Sequence, residues 1–331
     1  MHISLKNLIV PSIPMAVLLV LACCGLWLSS FFGERLVVLT DQHSALVQTL
    51  QTFIRPNTLQ SNLVSLGFTL INALLLAQIN NRFTIIRTRT FLPVFIFLLL
   101  MSAWNETHIS NGSHIALTLF ILALFSFFNM ARNKNSSEEA FLGCLLISVS
   151  SLLINSLIFI IPVCLIGFIL FQSFSLRTFL AAIFGTATPW ILYLSGRFLF
   201  DPYFDFSKAF VLAFDLNINT TSFAIPDLIY AAILIVMMII GLVGLRSLSH
   251  SDAIHTRNKL NFLLLLIISL SVLALLFRSQ YVSFLPILAL IYSLLLSHPL
   301  TLKQNNFYCI FFLVFCFINI AFIVSKYIIQ L

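Results

Sequence analysis

Glu106 and His108 stand two residues apart in the stretch SAWNETHISNGSH (102–114), and His114 closes it. A carboxylate beside imidazoles in a short gap is the raw material for a divalent metal or phosphate site. A glutamate so placed can also take a proton from a hydroxyl group. Two more acids, Glu34 and Asp41, fall in another gap between apolar runs, next to the basic Arg35 and Arg55. Arg197 and Arg278 border later gaps. Such cations can stabilise charge that develops on a leaving phosphate. Each residue also has a plainer role. Asp41 fits the N-terminal cap of a helix, Glu34 fits a solvated interface, and arginines at these positions fit lipid headgroups.

What must position these residues follows from composition. The chain of 331 residues is 60% hydrophobic and only 8% charged, with 35 phenylalanines, and its mean hydropathy is +1.09. A soluble domain carries about 25% charged residues, so the chain reads as an all-α polytopic integral membrane protein, a single transmembrane domain over 1–331. The net charge of +7 is spread thinly between apolar runs, as topology alone requires, and nucleic acid is discarded as a partner. The six cysteines lie inside apolar runs without C-x-x-C spacing and read as small core residues. The apolar run after MHISLKN continues past the typical length of a signal peptide's apolar region, so the first segment is expected to remain as a helix.

Apolar spans fall near 13–32, 60–79, 91–104, 114–131, 178–199, 227–245, 260–277, 281–297 and 307–328, with one longer stretch at 140–172. As a single helix that stretch would be about 50 Å long, against a hydrocarbon core of about 30 Å. It contains Asn155, Ser156 and Pro162, and charge favours a hairpin turning near Asn155. With a cytoplasmic N-terminus and the hairpin in place, the inner segments hold eleven basic residues against three acidic ones, and the outer segments six against seven. That is the bias inner loops show. About eleven spans result, of which 91–104 is short enough to be partial or tilted. Between the first two spans, Leu46, Val47, Leu50, Phe53 and Ile54 follow helical spacing. An amphipathic helix over 41–54 is therefore expected on the outer surface, near Glu106 and His108.

Soluble-enzyme motifs are missing: there is no Walker loop, G-x-G-x-x-G, H-E-x-x-H or G-x-S-x-G. No charge sits clearly at the centre of a span, which disfavours an ion-coupled transporter, and no inverted repeat is apparent.

Two stretches carry a family resemblance. NNRFTIIRTRTFLPVFIFLLL (80–100), with Arg82, Arg89 and Pro93, and LRTFLAAIFGTATPWILYLSGRFLFD (176–201), with Gly185, Thr188, Pro189 and Tyr193, resemble an uncharacterised family of inner-membrane proteins of Bacteroidota. That resemblance implies a compartment, the inner membrane, and no particular chemistry. The layout of first span, acidic outer loop with a surface helix, and a second acidic outer loop is more distantly similar to the GT-C superfamily, whose members transfer sugars from polyprenyl-phosphate carriers. This similarity implies that Asp41 or Glu34 is the catalytic carboxylate. It implies that Glu106 and His108 form a metal or phosphate site, that Arg35, Arg55, Arg197 and Arg278 contact substrate, and that a divalent metal is a possible cofactor. The chain departs from the pattern in lacking D-x-D, and no soluble C-terminal domain is expected. The expected function is thus a GT-C-like glycosyltransferase of envelope glycan assembly. A non-enzymatic membrane subunit that binds lipid or a partner protein is the alternative, and a small-molecule transporter a more distant one.

Overall fold

The structure is a computed structural model that describes residues 12–32, 46–47, 53, 58–109, 112–131, 136–200, 225–248, 252–303 and 305–330. Eleven α-helices lie among the described residues. They are α1 (Ile13–Phe32), α2 (Leu59–Phe83), α3 (Leu92–Ala103), α4 (Ser113–Met130), α5 (Ser137–Leu153), α6 (Ile161–Leu170), α7 (Leu176–Phe200), α8 (Ile225–Leu248), α9 (Ile254–Leu276), α10 (Tyr281–Leu302) and α11 (Asn306–Gln330). Seven of the helical segments are long and apolar enough to cross a membrane. With the shorter apolar helices among them, the protein is an all-α, multi-pass membrane protein.

The 140–172 stretch is split. Helix α5 ends at Leu153, Ile154 is extended, and a 3-10 turn over Asn155–Ile160 leads into α6. The side chain of Ser156 in that turn donates to Gln280 at 2.6 Å, which pins the hairpin to the start of α10. Pro162 lies in the first turn of α6 and Pro93 in the first turn of α3, where the missing N–H would have no helical partner in any case.

Lipid tails are as apolar as leucine, so helices in a membrane associate through close packing and a few polar contacts. Helix α5 packs against α4 and α7. At Gly185 of α7 a Cβ would come within 2.5 Å of the Phe141 carbonyl oxygen, so the two backbones nearly touch. There Ser148 donates to the Thr186 carbonyl at 2.6 Å and Trp190 Nε1 to Ser151 Oγ at 2.9 Å. Glycines seat rings elsewhere: Gly143 receives Phe127 and Gly167 receives Phe262, and those two phenylalanines meet edge to face at 5.9 Å.

Helix α3 is the centre of the bundle. Its 12 residues span about 18 Å at 1.5 Å per residue, well short of a hydrocarbon core of about 30 Å. It packs against α2, α10 and α11, and nearly all of it is buried. Chain outside the α-helices on both sides of it is buried too, with Ile85 and Ile86 before it and Thr107, His108 and Ile109 after it. Irregular backbone at such depth is tolerated where protein covers it.

Two ends of the bundle are marked by ion pairs. At one end Asp252 meets Arg87 and His298; at the other, Asp227 meets Lys326. Helix α8 runs from the Asp227 end to the Asp252 end. Cysteines replacing the exposed Ile225 and Arg257 are therefore expected to react with a membrane-impermeant thiol reagent from opposite sides of intact vesicles. Labelling of both from one side would refute the threading.

Of the expected surface helix, Leu46, Val47 and Phe53 are described, and all three are helical. Val47 is buried and packs on Gly112, whose φ of +84° suits a glycine. Phe53 is 83% exposed and so does not pack on the spans as the stripe suggested.

Candidate functional site

The site is built where α3 gives way to the 3-10 turn Asn105–His108. Trp104 is extended, and the Thr107 hydroxyl lies within 2.6 Å of the carbonyls of both Met101 and Trp104. That clasp turns the chain sharply off α3. Ser65 of α2 donates to the His108 carbonyl, while Trp27 of α1 lies over the His108 ring with centroids 4.1 Å apart. Trp27 Nε1 in turn donates to Ser102 Oγ at 3.1 Å. Three helices thus hold a turn of four residues.

Glu106 in that turn is partly buried, and its Oε2 is buried without a hydrogen-bond partner. Burial pushes its carboxyl above the ordinary carboxylate range. Its own backbone amide and the Lys326 ammonium oppose the rise, and Asp227 adds to it. The charges acting on Glu106 are therefore an acid from the first turn of α8 and a lysine near the end of α11.

Those two residues form an ion pair at 2.5 Å, with side-chain exposures of 16% for Lys326 and 8% for Asp227. An aromatic floor lies beneath it. Tyr230, one turn beyond Asp227, stacks flat on Phe322, one turn before Lys326, with centroids 3.9 Å apart. Trp104 meets both rings edge-on at 5.4 and 5.8 Å, and the Tyr230 hydroxyl donates to Asn319 Oδ1 at 2.6 Å. Helices α8 and α11 are thereby tied to the turn that carries Glu106. The arrangement offers a carboxyl of raised proton affinity, a half-sequestered ammonium and a second carboxylate.

The residues expected from sequence divide into three groups. Glu106 and His108 share the turn, but the His108 ring packs on Trp27. Among the described residues, no three His, Cys, Asp or Glu side chains converge on a point that could hold a metal. Arg197, on α7, and Arg278, just before α10, are exposed. Glu34, Arg35, Asp41 and Arg55 lie outside the described residues. Sequence reading passed over Asp227 and Lys326. The available signal was one acid in the first turn of a span and one lysine near the end of another, each followed or preceded at helical spacing by an aromatic.

No curated protein and no solved structure matches the chain. The model of a family of unknown function, DUF6427, matches residues 37–329. Because that match takes in most of the chain, including the turn with Glu106 and the helices bearing Asp227 and Lys326, this membrane protein belongs to DUF6427.

Proposed function

We propose that the protein is a GT-C-like glycosyltransferase of the inner membrane, with its N-terminus cytoplasmic and its site on the outer face, using a polyprenyl-phosphate-linked sugar in envelope glycan assembly. The observation that carries the reading is the buried, unpartnered oxygen of Glu106 beside the Asp227–Lys326 pair. Ionised Glu106 would accept the proton of the acceptor hydroxyl, and a carboxyl whose proton affinity is raised toward neutrality suits that task. Lys326, oriented by Asp227, would stabilise the charge that develops on the departing polyprenyl phosphate. Asp41 or Glu34 would supply a further carboxylate. Arg35, Arg55, Arg197 and Arg278 would hold the donor's phosphate.

The test is a deletion strain carrying either the wild-type chain or Glu106→Gln at matched membrane levels, read by its pool of polyprenyl-linked sugars. Deletion should enlarge that pool, wild type should restore it, and Glu106→Gln should cut turnover by about 100-fold or more. Because the base form is required and its proton affinity is raised, wild-type turnover should fall with acidification at a higher pH than an ordinary carboxylate would give. An unchanged pool, or full rescue by Glu106→Gln, removes the enzymatic reading. The same charges would then serve only to staple helices in a subunit that binds lipid or a partner protein.

A further inference from the structure

The opposite end of the bundle holds a second buried charge cluster with no part in the chemistry above. Three elements meet there: the loop between α2 and α3 supplies Arg87, the segment before α9 supplies Asp252, and the last turns of α10 supply His298. Arg87 lies 3.0 Å from one Asp252 oxygen, and His298 Nε2 lies 3.4 Å from the other. The Asp252 and His298 side chains are almost wholly buried, whereas Arg87 is 44% exposed. Neither contact has hydrogen-bond alignment. Charge rather than directional bonding therefore holds the cluster, and its strength depends on its charge state.

The loop it holds is unusual for its depth. It leaves α2 through Thr84, at φ +47°, and folds inward so that Ile85 and Ile86 are buried. Asn80 Oδ1 accepts from the Ile86 amide at 3.1 Å, and Lys259 donates to the Phe83 carbonyl at 2.9 Å. These bonds fix the start of the loop. Its middle depends on Arg87, and the neighbouring Thr88 hydroxyl is buried without a hydrogen-bond partner. On α10, Pro299 directly follows His298. Lacking an N–H, it leaves the Leu295 carbonyl without its helical bond, so the last turn of α10 has one backbone tie fewer.

We infer that Arg87, Asp252 and His298 form a proton-operated latch that releases the 84–91 loop, and with it the adjoining end of α3, on acidification of its side of the membrane. With His298 neutral, one buried carboxylate faces one cation and the cluster balances. A proton on His298 sets two cations against a single carboxylate in a buried site, where an uncompensated charge is costly. Arg87, already half in solvent, is the partner that leaves. Other titratable groups on the elements packed around this end are Arg82 on α2, Arg89 in the loop itself, Arg246 on α8, His255, Arg257 and Lys259 on α9, Lys303 just after α10, and Tyr308 on α11. Lys259 is committed to the Phe83 carbonyl, and Asp252 and Arg87 are the charges acting on His298. The inference does not depend on the chemistry proposed for Glu106.

The test is amide hydrogen exchange of residues 84–91 in the full chain in lipid nanodiscs, at pH 7.5 and 5.0, each rate divided by the intrinsic rate at that pH. The wild-type loop should exchange at least tenfold faster at pH 5.0, while helix 116–128, which has no ionisable side chain, should not change. Asp252→Asn should give the fast rate at both pH values, and His298→Asn the slow rate at both. Equal wild-type rates would overturn the latch even if neither variant folds. So would a His298→Asn protein that keeps the pH dependence.

Discussion

Lys326→Met is expected to destabilise the protein by about 3–5 kcal/mol, the usual cost of stranding one member of a buried ion pair. The stranded group is Asp227, whose side chain is only 8% exposed. The loss should reach further than the pair, because Lys326 also offsets the rise in the Glu106 carboxyl. Without it, the carboxylates of Glu106 and Asp227 would act on each other with no ammonium to offset them. Adding Asp227→Leu should recover most of the stability, since apolar replacement of a whole buried pair is commonly neutral or favourable. Thermal unfolding of the single and double variants in one detergent measures both steps. A double variant as unstable as the single one would show that the charges are not coupled. A stable double variant is also the better probe of function: a folded protein without activity separates chemistry from stapling.

Gly185→Val should also damage assembly, with a cost of about 3 kcal/mol or more from overpacking. A Cβ at this position lies 2.5 Å from the Phe141 carbonyl oxygen and 3.2 Å from the Leu145 amide nitrogen, so backbone rather than a flexible side chain must give way. Moving α7 outward would also stretch the Ser148–Thr186 and Trp190–Ser151 hydrogen bonds. Gly196, on the same helix, provides the contrast. Nothing lies within 4 Å of a Cβ there, and Gly196→Ala should stabilise the helix by about 0.5–1 kcal/mol. Comparing the two variants by denaturant unfolding removes any general effect of losing a glycine from α7. Equal tolerance would mean that α5 and α7 do not approach as closely as described.

Charge and length made much of the fold legible. The hairpin at 140–172 followed from Asn155, Pro162 and the placement of lysines and arginines, and the structure turns at Ile154 and Asn155. The short third span was visible as well, because an apolar run cannot hide its length. Glu106 stood out as an acid in a gap. Its partners did not, since Asp227 and Lys326 come from helices far along the chain, and hydropathy carries no information about which span ends meet. The same holds for Arg87, Asp252 and His298. Each looks like an ordinary loop or interface residue until three separate elements bring them together. The stripe in 41–54 shows the reverse limit: spacing gave Val47 and Phe53 equal standing, yet Val47 is buried and Phe53 exposed.

The shortness of α3 bears on how the protein is made. A run of 12 residues falls below the length of about 20 apolar residues that spans a bilayer unaided, so α3 is a poor candidate to partition into lipid by itself as it leaves the ribosome. Its irregular flanks would meet hydrocarbon with their peptide groups exposed until other helices cover them. Two of those helices, α10 and α11, are synthesised long after α3. Biogenesis therefore has to keep the middle of the early chain sheltered, by an insertase or by transient pairing with α2 and α4, until the C-terminal helices arrive.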